Sequence, residues 1–345
     1  MANIISKRDT FSAVQYIGMS MLVLAALILC LSLGSVSVPL RDVFTALQKG
    51  VQGGSDLSTG ENIVLHVRLP RVLAVTLVGA ALSLCGVAMQ GLLRNPLADG
   101  ATLGVSAGAS LGAVVTMAFG LSIPGVALFG RVGMAILFAF LSLILILALA
   151  YRLDSQLSTN SIILIGVVFS LFASALMSLI LTFAAEKTRD IVFWTMGSLA
   201  GADLTQVLLL AAALLAAGGW LIRLRTELNA FAIGESNAHA VGVDVKRVKL
   251  LVLILVSILI GVTVAIGGTI GFVGLVVPHM GRLLVGPNHR KLMPATLFFG
   301  AVFLLIADLV ARTIASPLQI PIGVITSLVG AVAFIFLFWR QARGA

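Results

Sequence analysis

The sequence predicts an all-α, polytopic membrane protein with about ten transmembrane helices, and three observations carry that prediction. Of 345 residues, 60% are apolar and only 10% are charged, whereas a soluble domain carries about 25% charged residues to face water. Mean hydropathy is +1.15. The apolar residues fall into windows near the roughly 20 residues that cross a bilayer as a helix. The windows are residues 14–36, 72–93, 101–119, 131–150, 160–184, 203–222, 248–267, 269–285, 292–314 and 322–339. The same figures exclude a disordered chain, and with Cys30 and Cys85 both inside apolar runs they exclude a disulfide scaffold. The net charge of +9 comes from basic residues scattered singly, without interleaved aromatics. The expected surroundings are therefore a lipid bilayer and not nucleic acid.

Taken in order, the first window follows Lys7 and Arg8 and is longer than a signal-peptide apolar core, so it reads as a retained helix. Residues 37–67 read as an outer loop, with an amphipathic stretch from Pro39 to Leu47 and a linker at Gly50, Gly53, Gly54 and Gly60. The second window carries small residues at Gly79, Ser83 and Gly86. The third carries Gly104, Gly108 and Gly112, with Ala101 and Ser110 nearby. Small faces of this kind let helix backbones approach closely in lipid. Between these windows Arg94, Asn95, Pro96 and Asp99 make an inner turn, because Pro96 stops the helix and Asn95 can cap it. Gln90, one turn earlier, is a polar residue within a span that either packs or lines a path. Gly271, Gly274 and Pro278 interrupt the window after Gly268, which predicts a broken or short helix.

An even number of spans puts both termini on one side. With that side inside, fourteen of the 22 basic residues face inward, and the positive-inside rule gives a multi-pass cell-membrane protein with cytoplasmic termini. The outer eight are Arg41, Lys49, Arg68, Arg71, Arg131, Lys187, Arg189 and Arg312, more than topology alone would put there.

Three chemistries need weighing. Gly104-Val105-Ser106-Ala107-Gly108 matches G-x-S-x-G, but a Ser106 hydrolase needs a histidine within reach, and the strand-turn-helix setting of that motif is missing. No lysine follows a glycine, so there is no P-loop and ATP is not hydrolysed by that route. An ion-coupled carrier would rest on Asp308, the one acid well inside a window, yet Asp308 stands four residues before Arg312, a spacing that allows a simple ion pair. No metal ligand set is assigned.

The run RLPRVLAVTLVGAALSLCGVAMQGLLRNPLADGATLGVSAGASLGAVV from Arg68, with WTMGSLAGAD (Trp194 to Asp203), LNAFAIGESNAHAVGVDVKRVK (Leu228 to Lys249), GFVGLVVPHMGRLLVGPNHRKLMP (Gly271 to Pro294), ADLVART and LQIPIGVITSLVGAVAF, resembles the FecCD-type permease subunits. Those proteins import iron-siderophore, haem and corrinoid chelates. The matches cover about the last 280 residues in order; Gly100 departs from the pattern, where the family commonly has proline. The resemblance implies the type II ABC importer permease architecture, with residues 1–345 forming one transmembrane permease domain that is no enzyme and binds no cofactor. It implies a second permease subunit, identical or related, with the path between the two. It also implies two cytoplasmic ATPase subunits that hold ATP and Mg, and an extracytoplasmic binding protein. Residues 223–247 would be the cytoplasmic coupling segment, with Ala232, Gly234, Glu235, Ala238, Gly242 and Val243 as contacts. Arg68, Arg71 and Arg312 would dock the binding protein, since arginine forks grip carboxylates, the alternative being snorkelling to lipid phosphates. Gln90, Asn95, Pro96, Gly104, Ser106 and Gly108 are the candidates for the path or its gate. The identity of the chelate stays open.

Overall fold

The structure, a computed structural model, describes residues 11–52, 56–100, 103–121, 127–154 and 158–343. The readings on Lys7, Arg8, Gly53, Gly54 and Ala101 lie outside the described residues. Among those described there are helices and no strand. Helix α1 is Ala13–Ser32, opened by a capping box between Ser12 and Gln15. Helix α2 is Leu40–Gln52. Helix α3 runs without a break over Thr59–Leu93 and contains a π-helical stretch at Ile63–Arg68. There follow α4 (Val105–Phe119), α5 (Ala127–Leu153), α6 (Thr159–Phe183) and the short α7 (Thr188–Thr195). Helix α8 is Leu204–Arg223, α9 is Arg225–Ala232 and α10 is Glu235–Ala240. The chain ends with α11 (Val245–Gly267), α12 (Val273–Val285), α13 (His289–Thr313) and α14 (Ile322–Arg343).

Helices α3, α11 and α13 form the centre, and glycine decides how closely they pack. A Cβ on Gly79 would fall on the carbonyl oxygen of Gly300, and one on Gly86 would fall on that of Gly274. Backbone therefore touches backbone where α3 crosses α13 and α12, which replaces the hydrophobic drive that lipid cannot supply. Helix α1 lies against this centre and α6 against α4 and α5, each by one side only, and both expose most of their length.

A helix stands at every window, yet among the described residues seven are long and apolar enough to cross a bilayer. The apolar helices Val105–Phe119, Val273–Val285 and Ile322–Phe336 are shorter, so the expected count of about ten is not established by length. The causes are local. Left-handed backbone at Gly104 and Gly120 bounds α4, and Gly268 and Phe272, both with positive φ, break the chain between α11 and α12. At about 1.5 Å per residue, the 13 residues of α12 fall well short of a hydrocarbon core about 30 Å thick.

The stretch 37–67 is mostly helical where a loop was expected. Gly50 lies inside α2 and Gly60 inside α3. A second capping box, Ser58 with Glu61, starts α3, and the Lys49–Glu61 ion pair at 2.8 Å ties α2 to it.

Candidate functional site

At one end of the bundle, Arg68, Arg71 and Arg312 come together as the sequence suggested, but they are buried. Arg71 donates from Nε and Nη2 to Asp308 Oδ1 at 3.0 and 2.8 Å, and from Nη1 to Gln319 Oε1 at 2.7 Å. Arg312 Nε stands 3.1 Å from the other Asp308 oxygen, and its Nη2 donates to the Cys30 carbonyl at 3.0 Å. Arg68 donates to the carbonyls of Leu31 and Ser32 at 2.7 and 2.8 Å, and to that of Val36. Expected as outward-reaching arms, the forks of Arg68 and Arg312 instead hold the last carbonyls of α1, whose helix dipole favours a cation there. Arg71 and Arg312 share one carboxylate and Arg68 bonds only carbonyls, so the cluster keeps an excess of positive charge. All three arginines and Gln319 line a cavity of about 220 Å³, bounded also by Gly34, Ser35 and Val36. Asp308 is fully buried and paired on both sides, which makes it a structural counter-ion and removes the basis for a carrier built on it.

At the opposite end, α9 and α10 form the segment expected to couple. Gly234 and Gly242 take φ of 114° and 90°, conformations that only glycine adopts freely, so each marks a sharp turn flanking α10. Ala232 and Gly242 are exposed, and Gly234 and Val243 are partly so. Two of the named contacts face the other way. Ala238 is fully buried within the chain, and Glu235 accepts two 3.0 Å bonds from the buried Lys249 Nζ. The small-residue pattern thus marks the inward side of α10 as well as its turns. Outward stand Ile233 and Val241, 60% and 66% exposed, which sequence reasoning missed. Their signal was present: each is an apolar residue immediately before a turn glycine, in a polar stretch.

Gln90 is buried and does not line a path. Its Nε2 donates to the Gly274 carbonyl at 3.1 Å, and Arg282 Nη1 donates to its Oε1. The reason lies in α12, where Pro278 has no N–H to offer the carbonyl four residues back. Gln90 supplies the missing donor. Asn95 Oδ1 accepts from Leu97 N at 2.9 Å and Arg94 closes α3 in left-handed backbone, so Asn95 and Pro96 form the rigid turn that the sequence implied.

Gly104 and Gly108 are also packing positions and not path positions. A Cβ on Gly104 would come within 2.9 Å of the Gly166 carbonyl oxygen, and one on Gly108 would meet the Ser142 side chain. Ser106 lines a separate cavity of about 110 Å³ with Cys85, Asp99, Thr263, Thr269 and the unwound stretch from Gly268 to Phe272. No histidine is among those lining residues, so the Ser–His pair that a serine hydrolase needs is not found in this cavity.

One further feature went unread in the sequence. Along the exposed helix α6, Ser170, Ser174, Ser178 and Thr182 recur at steps of four, the last three exposed. Ser170, Ser178 and Thr182 each donate to the carbonyl four residues back, at 2.9, 3.0 and 3.1 Å. A hydroxyl row on an outward face of a membrane helix was legible as a period of four.

Seven helices long and apolar enough to cross a bilayer among the described residues, packed backbone to backbone at the centre, define a polytopic membrane protein. Comparison gives the finer assignment. The FecCD transport family model matches residues 22–340. An uncharacterised ABC transporter permease of Bacillus subtilis, YvrB, is 42% identical over 98% of this chain and 96% of its own. The molybdate import permease MolB of Haemophilus influenzae is 35% identical over 95% and 96%, and the hemin transport permease HmuU of Yersinia pestis is 39% identical over 81% and 84%. A solved metal-chelate type ABC transporter in an inward-facing conformation is similar at 35% identity and a TM-score of 0.81, over 94% of this chain and 98% of that one. The chain belongs to the FecCD transport family, the permease subunits of ABC importers.

Proposed function

We propose that this chain forms half of a membrane path for a metal-centred complex and that a second permease subunit, identical or related, closes the other half. The observation that carries the reading is the hydroxyl row on α6. A helix facing only lipid gains nothing from exposed hydroxyls, whereas a wall wetted by a passing polar cargo does. An extracytoplasmic binding protein delivers the cargo at the Arg68 end, where an acidic side chain entering the 220 Å³ cavity would meet the surplus positive charge. Two cytoplasmic ATPase subunits, which hold ATP and Mg, dock at the turns around α10, with Ile233 and Val241 entering the partner's groove. The chain itself holds no cofactor, and both termini are cytoplasmic. The cargo is an iron chelate or a related complex, the haem, siderophore and corrinoid classes being first; the molybdate-importing relative adds a metal oxyanion.

The test is uptake by cells lacking this chain, supplied in parallel with iron-siderophore, haem, cobalamin and molybdate. One cargo should depend on the chain, be restored by wild type, and be lost again with Ser174→Phe plus Ser178→Phe, which fills the α6 face without touching the core. Uptake of all four unchanged by deletion would overturn the cargo class. Full restoration by the double variant would overturn the path.

A further inference from the structure

Besides the Glu235–Lys249 pair, the coupling segment touches the central helices through a second polar joint, on α9. On α9, Leu228 and Phe231 are fully buried, and Asn229 stands between them. Its Oδ1 accepts from the backbone N of His289 at 2.9 Å and lies 2.9 Å from His289 Nδ1. Its Nδ2 donates to Asn288 Oδ1 at 2.9 Å, the same oxygen that caps α13 through Arg290 N at 3.0 Å. A backbone N–H can only donate, so this end of the Asn229 amide is the oxygen, and the imidazole Nδ1 beside it carries a proton. The far side of the buried ring enters α3. A Cβ on Gly91 would overlap His289 Nε2, so the ring occupies a socket that exists because residue 91 is glycine.

We propose that the Asn229–His289 pair is the joint through which motion of the coupling segment reaches α13 and α3, with His289 as a positioning residue. Three features set it apart from ordinary packing. It joins three elements at one side chain, it is directional, and its imidazole is buried, so that breaking it leaves the ring N–H unpaired. Apolar contacts at Leu228 and Phe231 resist separation but can slide. A hydrogen-bonded ring seated in a socket fixes register as well as distance, and register is what a lever needs to transmit displacement. The inference rests on the reading that α9 and α10 meet the ATPase.

The experiment uses the assembled importer in proteoliposomes and reads cargo moved per ATP hydrolysed. His289→Leu removes the donor. His289→Asn keeps an N–H near the Nδ1 position. The ratio should fall about tenfold in the leucine variant, within the range of coupling energies measured for mutations between sites, and remain near wild type in the asparagine variant. An unchanged ratio with leucine, or equal loss in both variants, overturns the joint. If the leucine variant does not assemble, Asn229→Ala, which leaves the socket filled, is read the same way, and an unchanged ratio there overturns it too. Failure of the docking reading has a separate signature: Ile233→Asp would still co-purify with the ATPase.

Discussion

The two ends of the bundle bury different amounts of charge: three arginines with Asp308 at one, Lys249, paired with Glu235, at the other. At the Arg68 end all four charged side chains are covered by protein: Arg71 and Arg312 pair with Asp308, and Arg68 and Arg312 donate to backbone carbonyls. At the Arg94 end the apolar residues Ile233, Val241, Leu283 and Leu284 stand exposed. The first arrangement holds the chain to itself, since a buried ion without its partner is costly. The second leaves apolar surface open, which suits a partner and does nothing for the isolated chain. Residue type therefore does not distinguish stabilising from recognising positions in this protein; direction does.

The comparison is broken most sharply by Asp308→Ala. Removing the shared counter-ion should destabilise the subunit by about 3–5 kcal/mol, the usual effect of stripping one partner from a buried ion cluster, read as loss of monodisperse protein and a lower melting temperature in detergent. An unchanged melting temperature would mean that the arginines are held by the carbonyls of α1 alone. A smaller effect is expected one turn inside the Arg94 end, at Gln90→Leu. It leaves the Gly274 carbonyl without a donor at a cost of about 1–3 kcal/mol, measurable as a shift in the same melting curve; no shift would show that α12 relaxes around Pro278. The smallest stability effect belongs to Ile233→Asp, within about 0.5 kcal/mol as for an ordinary surface change. It should nonetheless abolish co-purification of the ATPase, and that pairing of no stability loss with full assembly loss sharpens the contrast between the ends.

Hydropathy made each helix window legible, because burial in lipid and helix formation select the same residues. It could not reveal how short α4 is, since its limits are set by left-handed backbone at Gly104 and Gly120, whereas Gly271, Gly274 and Pro278 did announce the short α12. The three arginines were legible as a group from Pro70 and the charge count. Their burial was not, because their partners are carbonyls of α1 and side chains of distant helices, and carbonyls leave no trace in a sequence. Ala238 and Glu235 were misread for a related reason: small residues mark close approach without saying from which side. Gln90 became intelligible only beside the Gly274 carbonyl that Pro278 leaves unbonded, a pairing between residues far apart in the chain.

The grip on α1 has one more consequence. Arg68 and Arg312 hold that helix by the carbonyls of Cys30, Leu31 and Ser32, and every amino acid has a carbonyl. The anchor is blind to side-chain identity at the positions it holds. Along the rest of α1, where most side chains are exposed, the sequence is free to drift so long as it stays apolar and the helix stops at the same place. A scan of substitutions through residues 13–29 should therefore meet broad tolerance to exchange among apolar residues and little tolerance to insertion or deletion, since a change of length moves the carbonyls out of reach.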